Sequence, residues 1–213
     1  MRESVVNSRV FEAMAKPACA LCTLHQEMED RFIESFFAEM VMDGKSQAEL
    51  AKQGLCRYHL YLVLETPDKL GAALALRTLV NAALAKPGEF SGWSCFACRK
   101  LERADRQHAE IMGDFFACGN SAWLKAAAEH LCLPHLDYLL EVNLPRWRAK
   151  TSAEFESLCR QGSRQSLESM TSELEWFIKK FDYRMRDEPW NGTEDIVQRA
   201  VEKLAGRKGG RNR

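Results

Sequence analysis

An excess of charge of either sign is missing from this 213-residue chain, in which 30 Lys and Arg stand against 30 Asp and Glu. A protein that coats nucleic acid needs a basic footprint, and that class is set aside, with only the basic C-terminal end left as a candidate contact. Long apolar runs are missing too. The longest candidate, 70–85, is interrupted by Arg77 and Asn81, so no membrane span and no membrane partner are expected. Residues 1–11 carry Arg2, Glu3 and Arg9 and no apolar stretch, so no signal peptide is expected and the expected address is the cytoplasm. Gly and Pro number only 12 and 6 and fall between segments. Period-two alternation is almost absent, which excludes a sheet protein and leaves an all-α one. The chain also has no phosphate loop, no dinucleotide glycine fingerprint, no Gly-x-Ser-x-Gly elbow and no His-Glu-x-x-His pair.

What the chain does have is cysteine, eight residues of it. In a reducing cytosol these do not form a disulfide framework, so their spacing decides between metal ligands, redox thiols and core residues. Six fall into four short motifs: Cys19-Ala-Leu-Cys22, Cys56-Arg-Tyr-His59, Cys95-Phe-Ala-Cys98 and Cys132-Leu-Pro-His135. Cys118 and Cys159 stand outside and read as core thiols.

Each Cys and His of the first two motifs recurs 76 positions later in the last two, and 34 positions separate Cys22 from Cys56 and Cys98 from Cys132. Glu34 and Glu110, Leu60 and Leu136, and Leu64 and Leu140 follow the same offset. A fixed offset of this kind marks a duplicated unit. The repeats span 15–90 and 91–165, followed by C-terminal helices over 166–205 and a basic, disordered tail at 206–213, with 1–205 expected as one helical domain. Apolar residues recur at helical spacing from Leu24 to Val41, with Gly44 as a stop. Further helices are expected over 46–53, from Cys56 onward, and over 69–85 up to Pro87-Gly88. The second repeat follows the same order, with Pro145 opening its last helix. There Leu167, Met170, Leu174, Phe177 and Phe181 form a long stripe expected to lie over a core shared by both repeats, with Gly162 as a kink or an interruption. A last helix is expected over 193–204.

Residues three apart share a helix face, so Cys-x-x-Cys and Cys-x-x-His each offer two atoms to one metal. Two half-sites make Cys3His, a closed tetrahedral set that suits zinc, and helix N-termini help keep thiolates ionised. Two Zn2+ ions are expected, with two iron–sulfur clusters as the alternative. A helical hairpin joins half-sites 34 residues apart, so the expected sets are Cys19, Cys22, Cys56, His59 and Cys95, Cys98, Cys132, His135. An exchange between repeats, Cys19 and Cys22 with Cys132 and His135, is the alternative a pseudo-symmetric fold allows. A thioredoxin-like dithiol needs a strand before its helix, and neither Cys-x-x-Cys has one.

With a closing Glu188-Pro189-Trp190 before a short last helix, these four motifs resemble a family of uncharacterised prokaryotic proteins known only as a domain of unknown function. Its members carry a Cys-x-x-Cys near the N-terminus, then a Cys-x-x-His, then a second such pair ending in Cys-x-Pro-His. The likeness runs from 15 to 205. Members often read Cys-Pro-x-Cys, where this chain has Ala20 and Phe96, neither of them a ligand. The resemblance implies a shared metal-type scaffold and no established activity.

Among the remaining residues, His25 is a spare ligand or a packing residue, and His108 reads as a satisfied core histidine. Asp105-x-x-His108 occurs once, whereas di-iron bundles need such a motif twice. The leading expectation is a metal-stabilised scaffold for an unidentified protein partner, because four protein ligands leave no open position for substrate. A redox protein holding two clusters is the second reading. An enzyme with a site around Glu34, Glu110 and His108 is the third.

Overall fold

The computed structural model describes residues 5–85 and 94–207. Among them are ten α-helices and no strand: α1 (Val5–Met14), α2 (Ala20–Ala38), α3 (Gly44–Gln53), α4 (Arg57–Glu65), α5 (Lys69–Ala85), α6 (Phe96–Ala117), α7 (Ser121–His130), α8 (Leu133–Asn143), α9 (Ala149–Lys179) and α10 (Ile196–Ala205). The chain divides into two compact units, Met1–Leu24 with Arg106–Arg213, and His25–Asp105. These divisions fall within α2 and α6 and do not follow the sequence repeats, so each unit takes pieces of both.

In the second unit, His25–Asp105, the apolar stripe of α2 delivers Phe36 and Phe37, which bury with Leu50, Val63, Ala75, Leu79 and Phe96. Gly44 does not stop a helix but opens α3. The Asp43 carboxylate accepts the Ser46 backbone N–H, an N-cap that sets the start there. The stop is Gly54, whose φ of 66° only glycine adopts without strain. The expected Pro87-Gly88 stop lies outside the described residues.

In the first unit, α1 was not anticipated, although Val10, Ala13 and Met14 mark one helical face and all three are buried. They join Met112, Leu124, Leu131, Leu139 and Phe155 in one cluster. Pro145 sits in a 3-10 turn, Leu144–Arg146, and α9 starts after it at Ala149. Gly162 does not interrupt α9, which runs unbroken to Lys179. It is there because a Cβ would come within 2.7 Å of the Lys125 carbonyl oxygen, so its lack of a side chain lets α9 lie close on α7. The buried apolar residues group as two clusters, one in each unit, and each cluster draws on both repeats: Cys19 to Leu24 with Ala109 to Cys159 in one, and Phe36 to Leu79 with Cys95 to Ala97 in the other. The buried residues of α9 are Phe155, Cys159, Gly162 and Ser163, while Leu167, Met170, Leu174 and Phe177 are half-buried and Phe181 is exposed. The Glu188-Pro189-Trp190 segment has a clear job. The buried Lys180 ammonium donates to the Met185, Arg186 and Glu188 carbonyls and lies 5.3 Å from the Trp190 ring, which ties the turn to the end of α9. Of the basic tail, only Gly206 and Arg207 lie among the described residues.

Candidate metal centres

All four motifs sit at helix starts. Cys56 is the N-cap of α4 and Cys132 the N-cap of α8, both with extended backbone, and this places His59 and His135 in the first helical turn on the same side as the sulfur. Cys19 and Cys95 immediately precede α2 and α6. Each sulfur accepts a backbone N–H three residues on: Cys22 N–H to Cys19 Sγ at 3.5 Å, and Cys98 N–H to Cys95 Sγ at 3.4 Å. The cysteine thereby makes the bond a Ser or Asp makes at an N-cap, and the positive end of the helix faces the sulfur.

The four motifs converge into two groups, Cys19, Cys22, Cys132, His135 and Cys56, His59, Cys95, Cys98, with all four ligand atoms of each within 4.8 Å of one another. All eight predicted ligands are therefore brought together, but in the exchanged arrangement. Pairing inside each repeat is corrected. The reason lies in the helix lengths, and α3 packs on α5 and α7 on α9 rather than back along the helix before it. α2 has 19 residues and α3 only 10, and α6 has 22 against 10 in α7. At about 1.5 Å per residue the shorter helix does not span the way back to the start of the longer one. The Phe96 N–H instead donates to the Gly54 carbonyl at 2.9 Å, which sets the start of α6 beside the start of α4.

In the first centre, Cys132 Sγ lies 3.7 Å from Cys19 Sγ and 3.8 Å from Cys22 Sγ. His135 Nδ1 lies 3.4, 3.2 and 3.2 Å from the sulfurs of Cys19, Cys22 and Cys132. In the second, Cys56 Sγ and Cys98 Sγ are 3.8 Å apart, and His59 Nδ1 lies 3.2, 3.3 and 3.4 Å from Cys56, Cys95 and Cys98. A tetrahedral ion with metal–sulfur bonds of about 2.3 Å sets sulfur–sulfur edges of about 3.8 Å. The residues present therefore fit a single tetrahedral metal ion. All eight cysteines are free thiols.

Electrostatics point the same way. Hydrogen bonds from Cys132 and Cys22 hold the Cys19 thiol down at about 3 against the opposing effect of burial. A hydrogen bond from Cys98 does the same for Cys95, also at about 3. Cys132 and Cys98 are pushed up in turn by the neighbours they serve. Burial works to lower His59, but hydrogen bonding to Cys95 and Glu29 outweighs it and raises the imidazole to about 10. Three sulfurs crowded around one nitrogen concentrate negative charge, and a dication is what lets all three ionise together.

Two residues behind the ligands were not found from the sequence. Glu29, 1% exposed, places Oε1 3.2 Å from His59 Nε2 and accepts the Tyr58 hydroxyl at 2.7 Å on Oε2. The repeat offset held a signal, since Glu29 corresponds to Asp105 and both positions are acidic. Lys203 of α10 is buried and donates to the Glu129 and Leu131 carbonyls, just before Cys132. Burial lowers its pKa, and the nearby Cys19 and Cys132 sulfurs oppose that. His25 is not a ligand but binds Asp105 through Nδ1 at 2.9 Å. Of the third candidate set, Glu34 is exposed, Glu110 pairs with Arg106 at 3.1 Å, and His108 is buried. None of the three belongs to either group. Cys118 is exposed, whereas Cys159 is buried and burial raises its thiol to about 12.

No curated protein and no solved structure matches the chain. The profile of one family matches it twice, over residues 1–91 and 89–210, in step with the internal duplication. With both copies covered, the chain belongs to the family of unknown function DUF6062.

Proposed function

We propose that this protein is a zinc-stabilised helical scaffold of the cytoplasm that presents its surface to a protein partner, with two structural Zn2+ ions, one in each Cys3His group. The observation that carries the reading is the compactness of each ligand set. All four atoms lie within 4.8 Å of one another, with sulfur–sulfur edges of 3.7 and 3.8 Å. An iron–sulfur cluster spreads its ligands over two or more irons and asks for a wider set. Four protein ligands fill a tetrahedral zinc and leave no position for substrate, which favours a structural role over catalysis. Free thiols throughout suit a reducing compartment. No helix among the described residues is long and apolar enough to cross a membrane. Exposed apolar side chains at Ile178, Phe181, Val197, Val201 and Leu204 support a role in protein contact.

The test is elemental analysis of protein purified without added metal. Close to two zinc per chain in a colourless sample is expected. A brown sample with broad visible absorption and stoichiometric iron would transfer the reading to clusters. A metal-free, fully folded chain would end both.

A further inference from the structure

Glu29 ligates nothing, yet its place behind His59 is specific. His59 turns Nδ1 toward three sulfurs at 3.2 to 3.4 Å, so a metal there binds Nδ1. A ligating ring nitrogen carries no proton, and the proton of the neutral imidazole then sits on Nε2. His59 is 1% exposed, so water does not meet that proton. Glu29 Oε1 faces it at 3.2 Å, an ion-pair contact rather than an aligned hydrogen bond, and neither atom has a hydrogen-bond partner among the described residues. The carboxylate is itself held. Tyr58, adjacent to His59 on α4, donates its hydroxyl to Oε2 at 2.7 Å. His25 lies one turn back on α2 with Nε2 at 4.0 Å from Oε1, and its Nδ1 is within 2.9 and 3.0 Å of the two Asp105 oxygens.

We propose that Glu29 is a positioning residue of the Cys56, His59, Cys95, Cys98 centre. Its carboxylate accepts the His59 Nε2 proton, fixes the tautomer that offers Nδ1 to the metal, and makes the imidazole a stronger donor. The Tyr58 hydroxyl fixes the carboxylate in turn. The proposal rests on the zinc reading and deepens it, assigning the outer partner that makes His59 a competent ligand.

The experiment uses the full zinc-loaded chain. Glu29→Gln keeps the shape and removes the charge. Competition against a chelator should show metal leaving this centre about 10- to 100-fold more readily, with the Cys19, Cys22, Cys132, His135 centre unchanged. A nitrogen–proton correlation spectrum of the histidine side chains supplies a readout that a packing role would not move. The His59 Nε2–H signal should shift upfield and exchange faster in Glu29→Gln, and Glu29→Asp should restore part of both effects. An unchanged affinity together with an unchanged His59 signal overturns the proposal. Should Glu29→Gln fail to fold, Tyr58→Phe carries the test. A smaller shift of the His59 signal in the same direction supports the proposal, and no shift overturns it. A wild-type chain with no metal on this set overturns the zinc reading and this one together, whereas two bound zincs with an indifferent Glu29→Gln overturn this one alone.

Discussion

The two Cys3His groups share residue types, spacing and helix starts, and differ in what stands around them. Behind the Cys56 centre is a buried carboxylate, Glu29, with Tyr58 and the His25–Asp105 pair. Beside the Cys19 centre is a buried ammonium, Lys203, gripping the carbonyls that lead into Cys132. Exposure differs as well. Cys19, Cys22 and Cys132 are buried, while Cys56 and Cys98 are half-buried. So does the length of chain each group closes. The contacts of the Cys19 centre join residues 110 to 116 positions apart, those of the Cys56 centre mostly 36 to 42. Duplication supplied identical ligands, and divergence around them supplied one centre braced by an anion and one by a cation.

The largest expected effect erases the comparison. Stripping both metals should unfold the chain, because binding to structural zinc sites becomes folding free energy, on the order of 10 kcal/mol per site at neutral pH. Loss of helical circular dichroism on chelation measures it, and the half-buried Cys56 centre should release first. Acid should act in the same direction. The ligands bind metal only when deprotonated, so protons compete and metal leaves as the pH falls.

A double-mutant cycle breaks the pairing itself. Cys19→Ser and His135→Ala strike the same centre, so the second should add little to the loss caused by the first. Cys19→Ser and His59→Ala strike different centres and should cost more together than either does alone. The reverse pattern, in bound metal and melting temperature, would restore pairing within the repeats.

Lys203→Met sharpens the contrast between the two surroundings. It leaves two buried carbonyls without their donor, for an expected loss of about 1–3 kcal/mol in stability. Metal release should quicken at the Cys19 centre alone, and equal loosening of both centres would show that Lys203 serves the unit rather than the site.

The smallest effect concerns loop length. Closing roughly three times as much chain should make Cys22→Ser about 1 kcal/mol more destabilising than Cys98→Ser, from the entropy of the longer loop. Denaturant titration of the two variants compares them directly, and equal losses would show that the surroundings outweigh the loop.

Much of this protein was legible residue by residue. The offset of 76 singled out all eight Cys and His positions that converge into the two groups, because their type and spacing are kept between the repeats. α5 was legible to its ends, Lys69 and Ala85, from an apolar run after Pro67-Asp68. Gly44 misled, since a glycine reads as a stop until the capping Asp43 before it is given its due. Gly162 misled for another reason: its role is a close approach to Lys125, more than thirty positions away, which no local pattern records. Glu29 and Lys203 went unread because a buried charge looks like any surface charge until its partner is known.

The sequence by itself determined the helices, the duplication and the chemistry of the ligands, since each rests on periodicity or on spacing along the chain. Which half-sites meet was left to tertiary structure. Cys22 precedes Cys56 by 34 positions and His59 precedes Cys95 by 36, so linker length does not decide which neighbour the Cys56 and His59 half-site joins. The choice falls to helix length and packing. α2 and α6 are each about twice as long as the α-helix that follows them, too short a helix to lead the chain back to the start of the longer one.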